Sequence, residues 1–267
     1  MTTLRPRHIA AVAERLRAQT IALLDELSDD DLEVEALPRW SVADVFAHLA
    51  TADRDVVVGR HLLDFLPSRG DTMEASNDVA IQRLQGASRE VLRRDLDRWG
   101  RWLRRVVQLS PAPLSRVQIP TMFGRVSLAW FAALRPYDEW VHQDDIRRAL
   151  GRGRAQLDDE LRELFAEFQM RALPALPLQR VDRRPDVIEI DLADVPEWTP
   201  WRFDLETRQF GTEVSAQPTA RVTTDIGTFT LLAADRVAWR EAQNDGLLEV
   251  TGDGDAAATL LDVVRVV

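Results

Sequence analysis

Apolar residues recur at helical spacing through the first 150 residues of the chain, which predicts a domain built from helices. One such stretch spans residues 6–27, and its regularly spaced apolar positions are Ile9, Val12, Leu16, Ile21 and Leu24. The same spacing predicts three more long helices over residues 41–66, 88–108 and 127–150, with a short extended piece in residues 117–127. Four helices of this length, joined by connections of unequal size, favour a four-helix bundle with one or two long crossovers.

The start of the second predicted helix carries three local signals. Ser41 is a good N-cap residue, and Asp44 stands where a capping box needs an acidic side chain. Trp40 precedes the cap and can pack against Val45 as a hydrophobic staple. We predict that this helix runs to Leu66, because proline and glycine follow closely after it.

The pattern changes in the second half of the chain. One further helix is predicted over residues 157–173, and beyond it strand-like alternation separated by Pro, Gly, Asn and Asp appears in residues 187–194, 201–207, 220–225 and 228–234. A last helix is predicted over residues 254–264. The fold class is therefore α plus α+β, with a helical domain over residues 1–152 and a smaller α+β domain over residues 153–267.

Composition narrows the chemistry that the chain can perform. Apolar residues make up 45% and charged residues 29% of the 267 residues, which is typical of a globular protein. A net charge of −10 argues against nucleic acid as a partner, since phosphate backbones require clustered cations. All 34 basic residues are arginine and there is no cysteine, so lysine Schiff bases, cysteine nucleophiles, disulfides and thiolate metal sites are excluded.

The sequence also bears on location and partners. The first residues lack the apolar core of a secretory signal, and no apolar run approaches the length that spans a membrane. We therefore expect a cytoplasmic protein with no membrane partner, either a monomer or a homodimer.

Three separated residues, His48, Asp138 and His142, form a candidate metal site. Asp138 and His142 stand four residues apart and so share a helix face, while His48 lies on a different predicted helix. Imidazole and carboxylate are ligands that zinc, nickel, iron and manganese accept, and three protein ligands leave a position open. Two alternatives stand beside this hypothesis: an exposed ion pair with a separate core histidine, or ligation by Glu139 on a rotated helix.

Two motifs resemble the mycothiol-dependent maleylpyruvate isomerase family of DinB-like metal-binding four-helix bundles. They are WSVADVFAHLA at residues 40–50 and DEWVHQDDIRRALG at residues 138–151. The tail over residues 237–261 looks like the family's sterol-carrier-like α+β domain. An arginine-containing pattern of the family appears here as AADR, with Arg236 at its end. An actinobacterial source, where mycothiol is the bulk thiol, is in keeping with the absence of lysine.

The resemblance implies a set of roles for residues of this chain. It assigns His48, Asp138 and His142 as metal ligands, although the family commonly has Glu where Asp138 stands. It also suggests that Arg236 projects into an interdomain cleft. Arg135, one turn before Asp138, is the first candidate for orienting that ligand or meeting substrate. Asp145, one turn after His142, is a candidate support for that ligand, with surface pairing to an arginine as its alternative.

The function that the resemblance implies is thiol chemistry at a metal, with zinc as the first choice and nickel, iron or manganese as alternatives. The metal activates the thiol of mycothiol, and the thiolate adds to a small electrophile for isomerisation or S-transfer. Two other functions remain open on the sequence: a metal-hydroxide hydrolase on the same site, or a non-catalytic protein that binds an apolar ligand near Trp198, Trp201 and Trp239.

Overall fold

The computed structural model describes residues 4–59, 73–110, 116–121, 124–173 and 181–264. The chain divides into two compact units, a helical unit over residues 4–156 and a C-terminal unit that begins at Leu157. The predicted combination of a helical domain and a mixed α/β domain is confirmed. Among the described residues, no helix has both the length and the apolar character needed to cross a membrane.

Four long helices form the first unit: α1 (Pro6–Glu26), α3 (Val42–Val57), α5 (Arg89–Leu109) and α6 (Leu128–Ala149). Shorter helices α2 (Asp29–Leu32) and α4 (Met73–Ile81) and a 3-10 turn (Gln82–Leu84) lie between them. Helices α1 and α3 both pack against α5 and α6, so the predicted bundle is confirmed. Buried Leu24, Phe46 and Leu96 belong to the apolar cluster that holds it together.

Two short antiparallel hairpins interrupt the helices. Strands β1 (Glu35–Leu37) and β2 (Trp40–Ser41) pair just before α3. Strands β3 (Gln118–Thr121) and β4 (Gly124–Ser127) pair before α6, where the sequence predicted an extended piece. The first hairpin was not predicted, and it fixes the position of Trp40 at the start of α3.

The predicted cap of α3 is present. The Oγ of Ser41 accepts a hydrogen bond from the backbone N–H of Asp44 at 3.2 Å, and Asp44 Oδ2 accepts one from the N–H of Ser41 at 2.9 Å. The predicted extent of the helix to Leu66 is wrong, because α3 ends at Val57. Gly59 follows with a φ of 77°, the left-handed conformation that ends helices. The predicted stop after Leu66 lies outside the described residues.

We expect the Ser41→Ala variant to lower the free energy of unfolding by about 1 kcal/mol, because the N–H of Asp44 loses the Oγ atom that accepts its hydrogen bond. Chemical denaturation of the purified variant measures the change. Ser88→Ala is the matched control, since Ser88 occupies the N-cap of α5 without a capping hydrogen bond from its side chain. An equal loss in both variants would contradict a specific contribution of the capping box.

A five-stranded sheet forms the centre of the second unit, with the order β7–β6–β5–β8–β9. Its strands are β5 (Val187–Leu192), β6 (Trp201–Asp204), β7 (Gln209–Gly211), β8 (Ala220–Thr224) and β9 (Leu248–Gly252). The central pair β5 and β8 is parallel, and the other pairs are antiparallel. The helices of this unit are α7 (Asp159–Ala172), α8 (Ile226–Ala233), α9 (Trp239–Asn244) and α10 (Gly254–Leu261).

One predicted strand, over residues 228–234, is wrong: residues 228–233 belong to helix α8, and Ala234 is its C-cap. Asp225 caps this helix by accepting a hydrogen bond from the N–H of Thr228 at 2.9 Å. Every residue of α8 is buried, so its apolar side chains show no periodicity by which a helix could be told from a strand. The aspartate before the run was the available signal for the helix.

Candidate metal centre

The three candidate ligands converge at one point of the helical unit. His48 lies on α3, while Asp138 and His142 lie one turn apart on α6. The Nε2 atom of His48 is 3.4 Å from Asp138 Oδ2, and the Nε2 atom of His142 is 3.6 Å from Asp138 Oδ1. One ligand atom from each residue lies within 4.8 Å of the others. The sequence-based expectation that these residues meet therefore agrees with the geometry.

The spacing and the chemistry of these side chains fit a small divalent cation. Zinc bonds of about 2.0–2.2 Å in a tetrahedral arrangement place neighbouring ligand atoms roughly 3.3–3.5 Å apart. Each histidine lies at about this distance from one oxygen of Asp138, His48 from Oδ2 and His142 from Oδ1. Within the part of the chain that the structure describes, neither ring nitrogen of buried His48 makes a hydrogen bond of good geometry, although Nε2 lies 3.4 Å from Asp138 Oδ2. Buried polar atoms are seldom left unpaired, so this imidazole fits a metal ligand better than a satisfied core histidine, and its ligand role stays a prediction.

The protonation states of His48 and Asp138 also favour a role as metal ligands. Burial lowers the pKa of His48 below its usual 6.5, so the neutral imidazole predominates at pH 7. Burial alone would raise the pKa of Asp138, but the charge of Arg135, followed by His142 and His48, holds that pKa well below its usual value. The site thus offers a neutral imidazole and a carboxylate, which are the protonation states that metal binding requires.

The ring nitrogen of His142 that does not face Asp138 contacts the buried carboxylate of Asp145. The Nδ1 atom of His142 is 3.0 Å from Asp145 Oδ2, and Asp145 Oδ1 accepts a hydrogen bond from Arg148 at 2.7 Å. A carboxylate at this place favours the tautomer with the proton on Nδ1, which would leave the lone pair of Nε2 available on the side of Asp138. Asp145 is fully buried and contacts both His142 and Arg148, and its role as support for a metal ligand stays a prediction.

Arg135 joins the site to a buried network of charges. Its Nη1 donates to Asp138 Oδ2 at 2.7 Å, and its Nε donates to Asp53 Oδ1 at 3.0 Å. Burial works to lower the pKa of Arg135, but Asp138 and Asp53 outweigh it and raise that pKa. The arginine therefore lies where it orients Asp138, as the sequence suggested, and a catalytic role for it stays a prediction.

The sequence did not predict that a second arginine, Arg17, is buried beside the site. It contacts Asp53 at 2.8 Å through Nη2 and Glu139 Oε1 at 2.7 Å through Nε. Thr20 also donates to Glu139 Oε1 at 2.6 Å. These bonds engage the carboxylate of Glu139 with Arg17 and Thr20, and the group of possible ligands among the described residues contains Asp138 and not Glu139, which disfavours the alternative in which Glu139 ligates the metal.

Trp40 is the other neighbour of the site that the sequence did not single out as functional. Its ring centroid lies 5.2 Å from that of His48 and 6.2 Å from that of His142. Its indole N–H donates to Asp78 Oδ1 at 3.1 Å, which fixes the ring. The tryptophan therefore limits how far either imidazole can turn, and its place one residue before the α3 cap was the available signal.

The remaining candidates lie in the C-terminal unit. Arg236 follows α8 and donates through Nη1 to the carbonyl of Ala234 at 2.7 Å, and its assignment to a substrate site stays a prediction. Trp201 is fully buried in the core of this unit, with its ring 5.8 Å from that of Phe229. Trp239 donates to Asp262 Oδ1 at 2.7 Å. Trp201 therefore acts as a core residue and Trp239 as a hydrogen-bond donor.

Comparisons with known proteins relate this architecture to a family. Two crystal structures of mycothiol-dependent maleylpyruvate isomerase, one of them of a mutant, share the fold and cover 89% of this chain and 93% of their own. They are 12% and 14% identical to it, with TM-scores of 0.57 and 0.52. No curated protein sequence gives a significant match.

A sterol carrier protein 2-like protein from Aedes aegypti covers 38% of this chain at 24% identity, with a TM-score of 0.31. A TM-score this low does not establish a shared fold, so the sterol-carrier-like character of the second unit stays a resemblance. The model of the mycothiol maleylpyruvate isomerase N-terminal domain matches residues 13–147, just over half of the chain, and this range contains all three candidate ligands. The chain therefore belongs to the family defined by that domain.

Proposed function

We propose that the protein is a metal-dependent enzyme that activates the thiol of mycothiol for isomerisation of, or S-transfer to, a small electrophile. The observation that carries the proposal is that His48, Asp138 and His142 converge at one point. The buried imidazole of His48 makes no hydrogen bond of good geometry among the described residues. Membership of the family supports the thiol, and the absence of cysteine means that a thiol has to come from a small molecule. A cytoplasmic location remains part of this proposal.

Each residue of the site has a defined task in the proposed enzyme. His48, Asp138 and His142 would hold the divalent ion, and three protein ligands leave one tetrahedral position open. A bound divalent metal lowers the pKa of a thiol or water that occupies its open position. Arg135 holds the Asp138 carboxylate in place, and Asp145 fixes the tautomer of His142. Zinc suits two imidazoles and one carboxylate, as do nickel, iron and manganese.

Metal analysis together with thiol-dependent turnover tests the proposal. We expect protein purified without chelators to contain about one divalent metal per chain, and consumption of an electrophile such as maleylpyruvate to require added mycothiol. A cobalt-substituted sample should develop a thiolate charge-transfer band when mycothiol is added. Protein without bound metal would refute the proposal, and turnover without any thiol would favour the metal-hydroxide hydrolase instead.

We expect the Asp145→Asn variant to bind metal about 10–100-fold more weakly, because the amide removes the negative charge that supports the His142 imidazole. Competition with a chromophoric chelator measures the affinity. Asp144→Asn is the matched control, since Asp144 is the neighbouring buried aspartate and accepts from the N–H of Ala155 at 2.9 Å. Equal losses of affinity in both variants would contradict a specific role for Asp145.

A further inference from the structure

The two candidate imidazole ligands are held in different ways. The Nδ1 atom of His142 contacts the buried carboxylate of Asp145 at 3.0 Å. His48 has no such support, because its Nδ1 atom has no hydrogen-bond partner among the described residues. The ring of a histidine turns easily about its outer side-chain bond unless its surroundings prevent it. The orientation of His48 therefore depends on the side chains that pack against its ring.

Two aromatic rings pack against His48. The centroid of the Trp40 indole lies 5.2 Å away with the ring planes at 39°, and that of the His142 ring lies 4.8 Å away at 66°. Trp40 also lies 6.2 Å from His142, so the three rings contact one another pairwise at separations typical of favourable aromatic pairs. Trp40 is the member of this ring cluster that is not a candidate metal ligand, and it contacts both of those that are.

Trp40 is itself fixed at two points. Its backbone pairs with Leu37 in the β1–β2 hairpin, directly before the Ser41 cap of α3. Its indole N–H donates a hydrogen bond to Asp78 Oδ1 at 3.1 Å, and Asp78 belongs to helix α4. Neither contact involves a candidate metal ligand. The position of the indole therefore does not depend on a bound ion.

We infer that Trp40 is a positioning residue, which holds the imidazole of His48 in the orientation that binds metal, and that Asp78 acts through it. A ring that is already in place spares metal binding the cost of ordering that side chain. Loss of the indole would restore this cost and would let the Nε2 atom turn away from Asp138, from which it now lies 3.4 Å. Because it names a determinant of metal binding, the inference rests on the proposed function, although the ring packing itself does not.

The metal affinity of Trp40 variants tests the inference. We expect Trp40→Leu to bind zinc about 10–100-fold more weakly in competition with a chromophoric chelator, as is typical when a residue that orients a ligand is lost. Trp40→Phe keeps a flat ring against His48 and should recover most of this affinity. Trp99→Leu is the matched control and should bind zinc as the unaltered protein does, since Trp99 is also partly buried but lies on α5 against Arg54 and Arg98.

A spectroscopic signature separates positioning from a general loss of stability. At saturating cobalt(II), the visible absorption of the ion reports the number and the geometry of its ligands. We expect Trp40→Leu to show an altered spectrum, and Trp40→Phe and Trp99→Leu to show the spectrum of the unaltered protein. An unchanged affinity and an unchanged spectrum in Trp40→Leu would overturn the inference.

Two substitutions of Asp78 leave the ring of Trp40 in the protein. Asp78→Ala removes the acceptor of the indole N–H, whereas Asp78→Asn is its matched control, because it removes the same negative charge but keeps an oxygen that can accept the bond. We expect Asp78→Ala to bind zinc about two- to tenfold more weakly than Asp78→Asn, the factor that one hydrogen bond contributes. If Trp40→Leu does not fold, equal affinities of the two Asp78 variants would overturn the inference.

The metal-free protein gives a readout that does not depend on the proposed function. The rings of His48 and His142 lie close enough for a nuclear Overhauser contact between their ring protons. We expect metal-free Trp40→Leu to lose this contact and metal-free Trp40→Phe to keep it. Loss of the contact in a protein that binds no metal would support positioning by Trp40 and refute the proposed enzyme. A contact that persists in Trp40→Leu, when the unaltered protein binds metal and depends on mycothiol, would refute the positioning and leave the proposed enzyme intact.

Discussion

We expect the Arg17→Met variant to unfold with a free energy about 3–5 kcal/mol lower than that of the unaltered protein. Arg17 is 3% exposed and neutralises two buried carboxylates, those of Asp53 and Glu139. Methionine is unbranched and apolar, so it fills part of the same space but leaves Glu139 without its cation and Asp53 with Arg135 alone. An uncompensated buried charge is among the most destabilising changes that a single substitution can cause.

The surroundings of Arg17 leave little room for compensation. Its Nη1 donates to the carbonyl of Leu96 at 2.8 Å, so the guanidinium bridges α5 as well as α3 and α6. A Cβ atom built on Gly100 would lie 3.2 Å from Nη1 and 3.3 Å from the Cγ of Arg17. The glycine therefore makes the space in which the arginine lies, and a shorter side chain would leave that space partly empty.

Chemical denaturation of metal-free protein measures this loss, and Arg93→Met is the matched control. Arg93 pairs with Asp25 at 3.0 Å, but both side chains are about half exposed. Exposed ion pairs contribute about 0–1 kcal/mol, so the control should change the free energy of unfolding by no more than that. Similar effects of the two substitutions would show that the buried network does not stabilise the bundle.

The contrast between these arginines shows why the sequence did not reveal the network. Helix α1 carries Arg15 and Arg17 two residues apart, and nothing in the spacing distinguishes a solvated arginine from a buried one. The partners of Arg17 come from α3 and α6, far along the chain, and only the packing of the bundle brings them together. Local patterns predict which residues form helices, but not which charges those helices bury against one another.

The candidate metal site was more predictable, because most of the signals for it lie in short stretches of the sequence. The spacing of Asp138 and His142 already places both on one helix face, and the cap at Ser41 fixes where α3 begins and hence which way His48 faces. Family resemblance supplied the expectation that the two helices meet. The hairpin that positions Trp40 lacked such local signals. For the fully buried helix α8 the absence of periodicity led to a wrong strand assignment, although Asp225 offered a capping signal.

We expect His48→Leu to have opposite effects on activity and on stability. The variant should lose its bound metal and at least about a thousandfold in thiol-dependent turnover, because metal assistance is worth several kcal/mol of the activation barrier. In metal-free protein the same substitution should leave the free energy of unfolding unchanged or raise it by up to about 1–3 kcal/mol. The reason is that leucine removes two buried ring nitrogens that have no partner among the described residues.

His142→Leu is the matched control, since it removes the other imidazole by the same substitution. It should abolish metal binding equally, yet it should lower the stability of metal-free protein by about 1–3 kcal/mol, because Asp145 loses the N–H that it accepts at 3.0 Å. Metal content by elemental analysis and denaturation after dialysis against a chelator give the two readouts. Both proteins must be metal-free, because a bound ion would itself stabilise the unaltered chain.

A clear destabilisation of metal-free protein by His48→Leu would mean that the imidazole is a structural element of the core, and retention of metal would mean that it is not a ligand. In the expected pattern the metal-free His48→Leu variant keeps its stability, and the variant no longer binds metal. That result would show that the buried imidazole of His48 serves metal binding and not stability. Residues that bind or catalyse are often locally unfavourable, and the cost is offset elsewhere in the structure. In this bundle the neighbouring apolar core of α3, with Val45, Phe46 and Leu49 fully buried, provides that offset.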